Sequence, residues 1–308
     1  IHRPMDFDKL ARTVREIHSW GNIHQHLDLI AGLPWEDYAS FRRSFDQVYA
    51  LRPQQLQLGF LKVLKGTEME RRAEEFGILC SRTPPYQVLA TRWLSWEEVL
   101  RLEDVEKVVE TYYNSGQFLY SLELLEEWFG SPFALYEALA DFHRRQGLMG
   151  VQPSRIRKYE ILLEFFRVQE ADAERQAAFR ERLLVDCYAR ENMKNRPSFG
   201  GDLSLYRPLL REWARREAET HAVLPHYRDC GARELERALH LEVVTEMTGG
   251  LPRLLVMDYR RRNPLNHNAD ILFLPLEGEE IFPNIDNGSK DAVGGTAGKE
   301  LTEHGTDL

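Results

Sequence analysis

His24, His26 and Asp28 fall at alternate positions in the run Ile-His-Gln-His-Leu-Asp-Leu-Ile-Ala-Gly-Leu-Pro, residues 23–34. In a β-strand that spacing puts two imidazoles and a carboxylate on one face, with Ile30, while Leu27, Leu29 and Ala31 form the other. Such a set could ligate a metal, contact a substrate or cofactor, or form an internally hydrogen-bonded patch. A metal would need a third ligand, and none adjoins the two histidines. A carboxylate on an otherwise apolar strand costs several kcal/mol if it is buried unpaired. Asp28 is therefore expected to anchor a neighbouring backbone or side chain rather than to move protons. A polar inner face suits a barrel lumen that holds a charged ligand, and Gly32 at the strand's carboxyl end would let the backbone approach it. The same glycine-proline ending also reads as a plain strand-to-helix turn.

The elements around this strand sharpen the reading. Leu10, Val14 and Ile17 recur at helical spacing over residues 5–20, with Asp6 or Asp8 near the start. Phe41, Phe45 and Val48 do the same over residues 35–51, and an apolar run at residues 56–64 closes with Lys65-Gly66-Thr67. Helix, strand, helix, strand with short connections predicts parallel strands joined by right-handed crossovers.

Asp28-Leu29-Ile30-Ala31-Gly32-Leu33-Pro34, a helix, and then Leu58-Gly59-Phe60-Leu61-Lys62-Val63-Leu64-Lys65-Gly66-Thr67 resembles the fifth and sixth strands of radical S-adenosylmethionine enzymes. The Arg3-Pro4 start fits the same pattern. Pro84-Pro85-Tyr86, Trp93-Leu94-Ser95 and Tyr112-Tyr113-Asn114-Ser115-Gly116 resemble the helical domain of unknown function that follows the barrel in the cobalamin-binding subgroup. The resemblance spans residues 1–276 and rests on several separated motifs. It implies an α/β fold: the C-terminal part of a partial TIM-like barrel, then a mainly α-helical domain. It also implies that Ile30, Gly32, Leu33 and Pro34 pack against the adenine and ribose side of S-adenosylmethionine, and that Leu61, Lys62 and Val63 edge the adenine. His26 and Asp28 are possible lumen contacts. The cofactors implied for a full-length parent are S-adenosylmethionine, a four-iron four-sulfur cluster and cobalamin, and these would supply the chemistry. Parents of this kind methylate, cyclise or rearrange unactivated carbon.

The cluster of that family needs three thiolates spaced CxxxCxxC. Here the cysteines are Cys80, Cys187 and Cys230, far apart, which reads as isolated thiols in a reducing cytosol. The chain opens on Ile1 and enters the barrel partway. The expectation is a C-terminal portion whose partner is the missing N-terminal part of the same protein, with none of the three cofactors bound tightly by this portion alone. No catalytic residue stands out.

Lys and Arg total 40 against 49 Asp and Glu, for a net charge of −9, which gives no footprint for nucleic acid. Arg260-Arg261-Arg262 is surrounded by acids and reads as a solvated face rather than a phosphate contact. No apolar run approaches the ~20 residues of a membrane helix, and no signal peptide is visible. A cytoplasmic enzyme piece acting on an unidentified small-molecule or carrier-bound substrate is expected.

After Cys80 the pattern changes to successive helices, and Thr83-Pro84-Pro85 marks the boundary. Ser95-Trp96-Glu97-Glu98 is a capping box opening a helix to Tyr113. Further helices are predicted over 117–129, from Ser131-Pro132, over 156–169, from Asp172 toward Asn192, and over 207–220. The aromatics Trp93, Trp96, Tyr112, Tyr113, Trp128 and Phe129 suit interhelical packing better than a pocket for a flat substrate. Short apolar runs at 241–247, 254–259 and 271–276 predict a small antiparallel meander. The divisions are thus residues 1–82 (barrel strands five and six), 83–283 (helical domain with its own core) and 284–308, a tail of disordered composition. Two functional classes stay open: the adenine-side half of an enzyme with a substrate-capping domain, or a non-catalytic module recognising a protein or carrier partner. An upstream reading frame running into CxxxCxxC would distinguish the first from the second.

Overall fold

The computed structural model describes residues 5–276. Arg3, Pro4 and the tail at 284–308 lie outside the described residues. Helix α1 (Phe7–Ser19) is capped by Asp6, whose carboxylate accepts the Lys9 N–H at 3.0 Å, and buries Ala11 and Val14. Strand β1 (His26–Ala31) follows, then α2 (Tyr38–Tyr49), capped by Asp37 and burying Phe41, Phe45 and Tyr49, then β2 (Gln55–Phe60). The strands pair in parallel with His26 opposite Gln55 and Ala31 opposite Phe60. The predicted order therefore holds. The described residues contain one parallel pair and no closed barrel.

A short helix α3 (Glu68–Arg71) leads to a hairpin of β3 (Leu79–Cys80) and β4 (Val88–Ala90). The Thr83-Pro84-Pro85 break is the turn of this hairpin. Its second arm returns to the end of β2: Val88 N–H donates to Leu61 O at 2.8 Å, and Val63 N–H to Tyr86 O at 2.9 Å.

Helix α4 (Trp96–Val108) opens with the Ser95/Glu98 capping box and continues into a π-helix over Val109–Tyr113. Then come α5 (Leu119–Phe129), α6 (Pro132–Arg145), α7 (Arg155–Gln169), α8 (Ala173–Arg190), α9 (Arg207–Thr220) and α10 (Ala232–Ala238). Caps at Ser131, Ser154 and Asp172 start α6, α7 and α8, as their sequences require. Helix α5 has no cap of its own. Buried Asp186 on α8 supplies it, accepting the N–H groups of Tyr120 and Ser121, both at 2.9 Å, and the Ser121 hydroxyl at 2.6 Å.

Strands β5 (Leu239–Val244), β6 (Arg253–Arg262) and β7 (Ala269–Pro275) form the expected antiparallel meander. Alternation along β6 divides two cores. Leu255 and Met257 join the main cluster, while Leu254 and Val256 face a smaller one with Trp213, Leu224, Tyr227 and Leu235. The main cluster runs without interruption from Ala31, Phe41, Phe45, Leu56 and Leu58 through the helices to Ala269. Residues on both sides of the predicted boundary thus share one core.

Candidate functional site

The open face of the β1–β2 pair forms the floor of a cavity of about 650 Å³. Asp28 and Ile30 come from β1, Gln57 and Gly59 from β2, and Leu61 and Lys62 from the segment beyond β2. The opposite face carries Leu56, Leu58 and Ala31 into the core. Period-two alternation therefore makes one face helix-covered and the other polar. His26 and Asp28 meet on this polar face, Nε2 to Oδ1 at 2.9 Å, with both side chains largely exposed. Asp28 is paired, as expected of it, but by its own strand neighbour and in water, where such a pair is worth little. His24 precedes β1 and lines a different cavity. The two imidazoles do not converge, and no group of three His, Cys, Asp or Glu side chains among the described residues is arranged to hold a metal ion.

The carboxyl ends of the two strands touch: Leu61 N–H donates to Ala31 O at 2.9 Å. This brings residues 32–34 beside residues 61–63. Gly32 has φ +86°, and a Cβ there would lie 2.7 Å from Val88 Cγ1. Its missing side chain is thus required by the hairpin that packs on it, apart from any ligand. Leu33 and Val63 join Val88, Phe76 and Ile78 in a small apolar cluster. Of the residues singled out in sequence, Asp28, Ile30, Leu61 and Lys62 line the cavity; Gly32, Leu33 and Val63 pack on the hairpin side, and Pro34 follows Leu33 in the chain without lining the cavity.

Helix α4 supplies the wall. Glu103, Glu106 and Lys107 face the cavity; Glu103 accepts Gln87 Nε2 at 2.7 Å, and Lys107 reaches Asp104 at 3.2 Å. Burial, reinforced by the charge of Glu110, raises the Glu106 carboxyl above the usual range. Glu106 is thus the carboxyl in this wall whose protonated form its surroundings favour. The capping box located this helix in the sequence, but nothing there distinguishes the side of α4 that meets the sheet. Gln57 and Gln87 carried no signal of their own.

The remaining groups considered in sequence have structural surroundings. Tyr113 packs on Tyr49, Trp93 on Trp35 and Phe76, and Phe129 stacks on Phe165, which is packing between elements. Arg260 pairs with Glu234 and contacts Cys230 Sγ. The three cysteines are free, and burial pushes the Cys187 thiol up to about 12. No helix among the described residues is long and apolar enough to cross a membrane.

A family model described as a protein of unknown function (DUF4080) matches residues 74–254, more than half of the chain. The match begins just before β3 and ends within β6, so it takes in the hairpin, the helices and the α4 wall of the cavity. No curated protein matches the chain.

Proposed function

The chain belongs to the DUF4080 family, and on that footing we propose that it forms the adenine side of an S-adenosylmethionine site in a cobalamin-dependent radical enzyme. One observation carries the reading. Two parallel strands end side by side in a Gly-Leu-Pro turn and an apolar segment, at the rim of a cavity floored by their polar face. Ligands of parallel α/β sheets bind at that end of the strands.

The hydrogen bonds already made narrow the contacts. Leu61 O is engaged by Val88 of β4 and Val63 N–H by Tyr86 just before it, so an adenine ring at this edge would meet Lys62 and the apolar sides of Ile30 and Leu61. Glu106 and Lys107 on α4 would face whatever extends from the ring toward the wall, which gives the DUF4080 region a substrate-capping role. S-adenosylmethionine would supply the reactive carbon-sulfur bond; the chain's own residues would bind and orient it and exclude water.

The iron-sulfur cluster does not fit the described residues. Cys187 is buried in α8, Cys80 lies in β3, and Cys230 follows α9. The cluster, the cobalamin and the remaining strands are assigned to an N-terminal part of the same protein, and the substrate is a small or carrier-bound molecule.

Photolabelling with an 8-azido-adenine analogue of S-adenosylmethionine, followed by peptide mapping, tests the proposal. Label competed by S-adenosylmethionine is expected on residues 30–34 or 61–63. Label confined elsewhere, or not competed, would overturn it.

A further inference from the structure

A second cavity, of about 580 Å³, lies at the amino ends of the same strands. His18 and His24 reach it from before β1, Arg52 from before β2, Glu126 from α5, Arg190 from the end of α8, and His267 from the β6–β7 loop. Its charges do not cancel. The Glu126 carboxylate is consumed by Arg52, which grips both of its oxygens, and by the Tyr49 hydroxyl. Arg190 has no carboxylate within ion-pair distance among the described residues; its Nη1 donates to the backbone carbonyl of Asn266. Arg262 behind it likewise donates to carbonyls, those of Arg190 and His267. A guanidinium carries five N–H donors, so Arg190 keeps most of its hydrogen-bonding capacity after holding the loop.

The surrounding backbone is held in uncommon conformations. Arg52 and His267 have φ of 53° and 60°, a region that non-glycine residues rarely adopt and that clusters at ligand sites. The π-helix over Val109–Tyr113 runs directly into the 113–116 turn lining the same cavity, and π-turns of this kind also concentrate at functional sites. A cationic, hydrogen-bond-rich cavity in a chain of net charge −9 selects for an oxyanion, which a guanidinium and imidazoles recognise by charge-assisted hydrogen bonds.

We propose that this cavity binds a small metabolite through a phosphate or carboxylate group, with Arg190 as its main ligand and His24 and His267 at its mouth. It is separate from the cavity on the open sheet face, and the inference does not depend on the S-adenosylmethionine reading.

The test is calorimetric titration of the full chain with inorganic phosphate and, separately, citrate, each against sodium chloride of equal ionic strength. Saturable binding of either above the chloride control is expected, and which of the two binds identifies the anion. Arg190→Gln should weaken it at least tenfold. His24→Gln, at an exposed residue, should weaken it severalfold with an unchanged thermal midpoint, which keeps the test decisive if Arg190→Gln disturbs the loop. Binding no stronger than chloride, or equal binding in wild type and His24→Gln, would overturn the proposal.

Discussion

The Asn114 carboxamide pairs with the Leu56 peptide as a neighbouring strand would. Leu56 N–H donates to Asn114 Oδ1 at 2.9 Å, and Asn114 Nδ2 donates back to Leu56 O at 3.0 Å. A side chain at the end of the π-helix thus occupies the outer edge of β2, where an unpaired N–H and C=O would otherwise be left. It also couples the helical region to the strand pair that floors the cavity. Asn114→Ala should cost about 1–3 kcal/mol, the penalty for leaving half-buried backbone groups unsatisfied. Asn114→Asp should cost no less, because a carboxylate oxygen replaces the donor facing Leu56 O. Urea denaturation measures both; losses below about 0.5 kcal/mol would refute the pairing.

Gly32→Ala should destabilise the protein through two separable effects, backbone strain at φ +86° and the contact with Val88. Val88→Ala in the same chain should restore the steric part and leave the strain. Double-mutant analysis of thermal midpoints checks it: purely additive losses would show that the two residues do not meet.

Much of this was legible in the sequence. The two strands, eight of the helices and the meander announce themselves through periodicity and caps, because those signals are local. Ser95 with Glu98, Ser131, Ser154 and Asp172 each mark a helix start within a residue or two of where it occurs. The β3–β4 hairpin escaped because β3 is two residues long and β4 three, too short for alternation. Its return to Leu61 and Gly32 is a tertiary fact, and it makes the Thr83-Pro84-Pro85 break the turn of a hairpin. On the site, alternation correctly grouped Asp28 with Ile30 on the open face. Glu106 and Arg190 were out of reach, since what distinguishes them, a carboxyl desolvated by burial and a guanidinium with no carboxylate within ion-pair distance among the described residues, only packing reveals.

The main core, shared by residues on both sides of the hairpin turn, leads to a prediction about cleavage. Arg82 sits in the exposed hairpin turn, so brief trypsin treatment should cut there. The two fragments should remain together in size-exclusion chromatography under native conditions, because Phe41, Phe45 and Leu56 share a core with Phe133, Tyr136 and Val109. Separation of a stable C-terminal fragment from the first 82 residues would show instead that the two regions fold apart.

Asp186 should make stability depend on pH. Burial pushes its carboxyl up to about 7 against the lowering effect of Ser121 and the Tyr120 and Ser121 N–H groups. A folded-state value above the unfolded value near 4 means that the fold favours the protonated form. The contribution is therefore full below pH ~4 and is lost as the pH rises toward 7. Asp186→Asn keeps an acceptor for the α5 N-terminus and cannot ionise. The variant should gain on wild type steadily between pH 4 and 7 in denaturation experiments; a constant difference across that range would show that Asp186 is ionised throughout.

The central claim, that the joined carboxyl ends of β1 and β2 form one side of an S-adenosylmethionine site, is tested most directly by amide NMR. Titrating S-adenosylmethionine into the isotope-labelled chain reads out weak binding residue by residue. The account predicts saturable shifts at Ile30, Gly32, Leu33, Leu61, Lys62 and Val63, with the amides around Arg190 unmoved. Absence of shifts at those six amides, or shifts only around the amino-end cavity, would contradict it.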